Sequence, residues 1–275
     1  MLDGSARAAD PRPRVLILGG TRQARELAQC LRAEADGQLR VQVSLAGVTT
    51  QPAQGAPDDI TGGFGGAEGL ANFLRQEHIT LLVDATHPFA AIMSASAVHA
   101  SAAAGVPLLC LERPAWTPPQ GARCTDVTDL SQAAAALPKG ARALLTVGAR
   151  SFLPFISRTD CRFVARMIEP PATTLPAGWT VVQARPPFLL ADERALLHAQ
   201  RISHLVTKNS GGDDVAAKLQ ACVDLSVEII MVARPERSAG HVMRAHSVAQ
   251  AAEQVLSLLG IDGSPRAPTI SHTDL

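Results

Sequence analysis

Short apolar runs alternate along this chain with longer stretches of helical spacing. Val15-Leu16-Ile17-Leu18 ends in Gly19-Gly20, and from Gln23 to Ala35 the leucines at 27 and 31 recur with alanines on one helix face. Val41 to Ala46, Leu81 to Val83 and Val106 to Leu111 read as further strands, with helices over Gly69–Gln76 and Phe89–Ala104 between them. The pattern then restarts, giving strands over Ala143–Val147, Arg162–Met167, Thr180–Ala184, His204–Thr207 and Val227–Val232. Helices are expected over Asp129–Leu137, Asp192–Gln200, Val215–Leu225 and Val248–Leu259. Strands that alternate with helices predict parallel sheets, because a crossover long enough to return the chain in the same direction is usually a helix.

The break between the two halves is Arg113-Pro114-Ala115-Trp116-Thr117-Pro118-Pro119-Gln120-Gly121, which has the composition of a linker. The expected organisation is two α/β domains, residues 15–116 and 117–261, each a doubly wound and mainly parallel sheet, with a cleft between them. Residues 1–14 and 262–275 are expected to be disordered. At 275 residues, two domains of ordinary size fit better than one.

Charge and cysteine content narrow the function. Lys and Arg balance Asp and Glu at 25 each, so there is no broad basic surface for nucleic acid or an anionic membrane. No apolar stretch has the length of a membrane span or the form of a signal peptide. The five cysteines are scattered and include no Cys-x-x-Cys pair, so neither a disulfide framework nor a metal site is expected, and a reducing cytoplasm fits best.

Chemistry concentrates where strands hand over to helices. Gly19-Gly20-Thr21-Arg22 sits after a strand and before a helix, where backbone N–H groups stabilise an anion. It is either a nucleotide turn or a tight turn that needs glycine for backbone reasons. Ser44-Leu45-Ala46-Gly47, at the next strand end, has no acid to hold a ribose hydroxyl, which argues for NADP over NAD, with Arg22 as a candidate for the 2′-phosphate. Lys208-Asn209-Ser210-Gly211-Gly212 is a second glycine-rich turn, and its ammonium is one of only three among the 25 basic side chains. Gly62-Gly63-Phe64-Gly65-Gly66 is either a surface for a flat ligand or a plain connection. In Asp84-Ala85-Thr86-His87-Pro88-Phe89-Ala90, Pro88 fits a first helical position and puts Thr86 or His87 at the N-cap; Asp84 and His87 are acid/base candidates unless they merely cap the turn. Arg113, Arg166, Arg185 and Arg234 stand at or just beyond strand ends, where guanidinium groups bind carboxylates in bidentate fashion or form structural ion pairs. The chain contains no tyrosine, which excludes a Tyr-Lys catalytic pair.

Taken together, Leu18-Gly19-Gly20-Thr21, Ser44-Leu45-Ala46-Gly47, Gly62-Gly63-Phe64-Gly65-Gly66, Asp84 to Ala90, Arg113-Pro114-Ala115-Trp116 and Lys208 to Gly212 resemble the precorrin-6A reductase family. The match runs in order from about Val15 to Pro235. The resemblance implies two Rossmann-like domains and NADPH-dependent reduction of one double bond of the precorrin-6A macrocycle to precorrin-6B in cobalamin biosynthesis. The partner would be an anionic tetrapyrrole, and the protein a monomer or weak homo-oligomer. On this reading Gly19, Gly20, Thr21, Arg22, Ser44, Gly47, Thr86, Asn209, Ser210, Gly211 and Gly212 bind cofactor, and Gly63, Phe64, Arg113, Arg166, Arg185, Lys208 and Arg234 face the substrate. Asp84, His87 or Lys208 supplies the proton. Family members often have arginine where this chain has Val48. The rival readings are another NAD(P)-dependent reductase and a non-enzymatic tetrapyrrole carrier.

Overall fold

The computed structural model describes residues 10–45, 59–169, 174–236 and 242–261. They form two units. The first contains described residues 10–45, 59–86, 92–112 and 242–261, and the second 87–91, 113–169 and 174–236.

The first unit is built on β1 (Arg14–Leu18), β2 (Arg40–Leu45), β3 (Ile60–Thr61), β4 (Leu81–Asp84) and β5 (Leu108–Leu111), joined by α1 (Arg22–Glu34), α2 (Gly66–Gln76) and α3 (Ala91–Ala104). In the second unit β6 (Cys124–Val127) and α4 (Leu130–Ala136) lead into β7 (Arg142–Thr146), α5 (Leu153–Ile156), β8 (Arg162–Met167) and β9 (Trp179–Gln183). These are followed by α6 (Leu190–Ala199), β10 (His204–Lys208), α7 (Ala217–Asp224) and β11 (Glu228–Val232). The chain then returns to the first unit with β12 (Met243–Ala245) and α8 (Val248–Leu258).

Both sheets are six-stranded, with orders β3-β2-β1-β4-β5-β12 and β9-β8-β7-β10-β11-β6, and every pairing is parallel. Each is a doubly wound order in which the chain reverses direction across the sheet beside its first core strand, β1 in one unit and β7 in the other. The sixth place differs from an uninterrupted domain. In the first sheet it is filled by β12, made after the whole second unit, and in the second by β6, made before its own core.

Alternation explains the layering. Val15 and Ile17 face α1 and α8, while Leu16 and Leu18 face α2 and α3, so each strand feeds two cores. α1 buries Ala24, Leu27, Ala28 and Leu31, the i, i+3, i+4, i+7 stripe that the sequence shows. In the second unit Ala143 and Leu145 pack with Phe155 and Phe163, while Leu144 joins Leu197, Leu205 and Leu219 on the other face.

Several expectations are corrected here. The helix at Val248, expected in the second domain, supplies Ala251, Ala252, Val255 and Leu256 to the first unit's core, because its strand β12 pairs with β5. The helix expected from Phe89 starts at Ala91, since Ala90 N–H closes a turn onto the His87 carbonyl first. Of the terminal segments expected to be disordered, residues 1–9 and 262–275 lie outside the described residues. Residues 10–14 are ordered, with Pro13 accepting from Arg40 N–H at 2.9 Å and Arg14 opening β1. Among the described residues no helix is long and apolar enough to cross a membrane.

Candidate functional site

In the first unit, the turn after β1 lies at the point where strand order reverses. A Cβ on Gly19 would stand 2.8 Å from Val43 Cγ1 and 3.2 Å from the Ser44 carbonyl, so only glycine lets this turn lie against β2, where Gly19 N–H donates to Ser44 O. Gly20 has φ of +103°, and nothing lies within 4 Å of where its Cβ would be. Thr21 then caps α1, accepting from Ala24 N–H at 3.1 Å and donating to Ala85 O at 2.8 Å, which ties the turn to the end of β4. Arg22 is paired with Glu26 at 2.6 Å on the exposed face of α1. Gly47 lies outside the described residues.

Asp84 and Thr86 close on each other. Thr86 donates both its N–H (3.0 Å) and its hydroxyl (2.6 Å) to Asp84 Oδ1, and Asp84 is only 1% exposed. This carboxylate holds the turn after β4 through its Oδ1. Phe64, considered as a platform for a flat ligand, instead tilts against Phe73 at 5.0 Å and joins the core beneath α2; Gly63 is exposed.

The chain passes into the second unit at His87. There the charge of Lys208 acts on it. His87 Nδ1 accepts from Phe89 N–H at 3.2 Å, and the Lys208 ammonium lies 5.4 Å from the Phe89 ring and donates to Ser151 Oγ at 2.8 Å. Ser151 belongs to the turn after β7 and Lys208 ends β10, so this hydrogen bond spans the second unit's own reversal point, as Thr21 to Ala85 spans the first. Sequence reading missed Ser151 and the preceding Gly148 (φ +88°); strand–glycine–turn at residues 142–151 was the available signal.

The charges that act on His87 are cationic. Loss of water around the His87 ring, followed by the charges of Arg113, Lys208, Arg234 and Lys218, pushes the His87 pKa down to about 3. His87 is exposed, and the neighbouring cations favour a neutral imidazole at physiological pH. Desolvation also lowers the pKa of Lys208. Lys218 is 3% exposed, with its ammonium 4.5 Å from the Trp116 ring; burial, then the Arg166 charge, lowers its pKa to about 7.

The second glycine-rich turn has a different use from an open phosphate cradle. A Cβ on Gly211 would meet Pro114 O at 2.1 Å and Arg234 Nη2 at 2.6 Å, and one on Gly212 would meet Arg113 Cδ at 3.1 Å. The glycines make room for the 113–116 segment, which is bound to the turn throughout. Trp116 N–H donates to Asn209 Oδ1, Asn209 Nδ2 to Trp116 O, Trp116 Nε1 to Gly212 O, and Arg113 Nε to Ser210 O, all between 2.7 and 3.1 Å. Arg234 donates to the carbonyls of Asn209, Arg113 and Pro114. Arg166 donates to Glu193 at 2.6 Å and lies over the Phe188 ring, away from solvent. Of the four arginines proposed for substrate, Arg185 is the exposed one, 4.0 Å from Glu169.

Two doubly wound parallel domains, each with a turn at its reversal point, define the Rossmann-like class of α/β protein. Comparison with known proteins specifies it further. The family model described as "Precorrin-6x reductase CbiJ/CobK" matches residues 14–257, and the chain belongs to that family of cobalamin-biosynthesis reductases. A precorrin-6A reductase of Rhodococcus erythropolis is 44% identical over 223 residues, covering 81% of this chain and 89% of the relative. A cobalt-precorrin-6A reductase of Priestia megaterium is 30% identical, covering 83% and 93%. The solved structure titled "CobK precorrin-6A reductase" superposes with a TM-score of 0.82 at 36% identity, covering 92% of this chain and 99% of that one.

Proposed function

We propose that this protein reduces one double bond of precorrin-6A to give precorrin-6B with NADPH, and that Lys208 is the proton donor. The observation that carries the site assignment is the Lys208 ammonium, desolvated and fixed on Ser151 among cations that favour an anionic ligand. The stronger identity to a relative named for precorrin-6A than to one named for the cobalt compound supports the metal-free macrocycle as substrate.

The nicotinamide cofactor fits the first unit. The open space over Gly20, the capped start of α1 and the absence of an acid in Ser44-Leu45 suit a pyrophosphate and a phosphorylated ribose, and Gly19, Gly20, Thr21 and Ser44 would hold it, with Arg22 turning from Glu26 to the 2′-phosphate. When bound, the cofactor supplies a hydride to a ring carbon, and the reduction is completed by one proton at the neighbouring position. The protein's own residues then have separate tasks. Lys208 gives up its proton more readily for being desolvated, and Ser151 keeps its Nζ in place. Arg113 and Arg234 brace the 209–212 turn through carbonyls while their charge favours the substrate's carboxylates, and Arg185 is available for a direct carboxylate pair. The compartment consistent with this chemistry is the cytoplasm.

The test is NADPH oxidation with precorrin-6A generated in place by the preceding enzymes, with NADH in parallel. Lys208→Ala should lower kcat about 10²-fold or more with folding intact, in the range for loss of a general acid. Full activity in that variant would remove Lys208 from the chemistry, and tetrapyrrole binding without NADPH loss in the wild type would favour a carrier.

A further inference from the structure

His87 stands at the cationic centre but is built unlike a proton donor. Its Nδ1 faces the Phe89 backbone N–H, which can only donate, so Nδ1 must be the acceptor and the proton of the neutral ring sits on Nε2. Charging the ring would place a second proton on Nδ1 and break that hydrogen bond. We propose that His87 is a positioning residue that works as a neutral imidazole, presenting its Nε2–H as a hydrogen-bond donor to an anionic oxygen of the bound substrate. This rests on the reading that the second unit's cationic centre holds the substrate.

Every charged group that acts on His87 opposes its protonation. Arg113 does so from the segment after β5, Lys208 from the end of β10, Lys218 from α7 and Arg234 from the segment after β11. Two acids act on these cations rather than on the ring, Asp214 on Arg113 and Glu193 on Lys218. The ring is held at 5.8 Å from Phe89, whose own ring lies under the Lys208 ammonium, so the neutral donor and the cation are fixed by one short segment. A neutral donor beside a desolvated lysine divides the work: His87 orients an oxygen and Lys208 gives the proton.

The test has two arms. In wild-type protein, ¹⁵N NMR of the His87 ring from pH 5 to 8.5 should show the neutral Nε2–H tautomer without titration, both free and with NADP⁺; an imidazolium or a titration in that range overturns the proposal. In kinetics, His87→Phe should raise KM for precorrin-6A about tenfold, and His87→Gln, which keeps a neutral donor near the Nε2 position, should restore most of it, with the pH profile of kcat unchanged in both. Unchanged KM in His87→Phe, or loss of the basic limb of kcat against pH together with a collapse of kcat, also overturns it. If wild-type protein turns over no precorrin-6A, the functional reading fails first and this role falls with it, while a neutral, non-titrating ring in an active enzyme whose KM ignores His87 sinks this inference alone.

Discussion

At the scale of single residues, the turn at 209–212 shows how a glycine can be required by protein packing. Gly211 has φ of +68° and its missing Cβ makes way for Pro114 O. Gly211→Ala should therefore destabilise the protein by about 2 kcal/mol or more, and raise KM for the tetrapyrrole by displacing Lys208's neighbours, read by thermal unfolding and steady-state kinetics. Lys218 gives a pH-dependent prediction. Its pKa falls from about 10.4 in an unfolded chain to about 7 in the fold. Between those values the unfolded state binds the extra proton, so this residue makes stability rise as pH increases from 7 toward 10, and its penalty is fully present below 7. Lys218→Met should flatten that rise and lift the melting temperature at pH 7 by roughly 5 °C, as measured by calorimetry across that range. A lower melting temperature would mean that the stacking of the ammonium on Trp116 outweighs its desolvation.

At the scale of elements, β1, α1, β7, β8, β10 and β11 were legible because each combines a long apolar run or stripe with clear punctuation. β3, β6 and β12 were not: Ile60–Thr61 is two residues long, and Cys124–Val127 and Met243–Ala245 are edge strands whose polar positions give no continuous run. α5 has four residues and no room for a helical period. The site was half legible for a similar reason. Lys208 stood out by rarity and His87 by its motif, but Ser151, 57 residues earlier in sequence, reaches Lys208 only because β7 and β10 are neighbours in the sheet. A strand-end guanidinium looks the same in sequence whether its partner is a ligand, as proposed for Arg185, or Glu193, as for Arg166. Removal of residues from 238 onward takes away β12 and α8, and with them Ala245, Val255 and Leu256 of the first unit's core. Such a shortened chain should lose cooperative unfolding of the first unit, visible as loss of amide protection in β1 and β5, while β7 and β10 stay protected.

At the scale of the whole molecule, the two units share one plan: a five-strand core, a turn at the reversal point and a sixth, edge strand made outside the run of that core, β12 after it and β6 before it. What differs is charge. The first unit's turn is open and uncharged apart from Arg22, while the second gathers Arg113, Lys208, Lys218 and Arg234, and this asymmetry underlies the division proposed between cofactor and substrate. The edge strands also set an order of events on the ribosome. β6 emerges before the core it borders, so the second sheet has all six strands once β11 is made. The first sheet, though its β1 is translated earliest, must wait with an open edge beside β5 until β12 and α8 have been synthesised. The half of the protein that is born first is the half that is finished last.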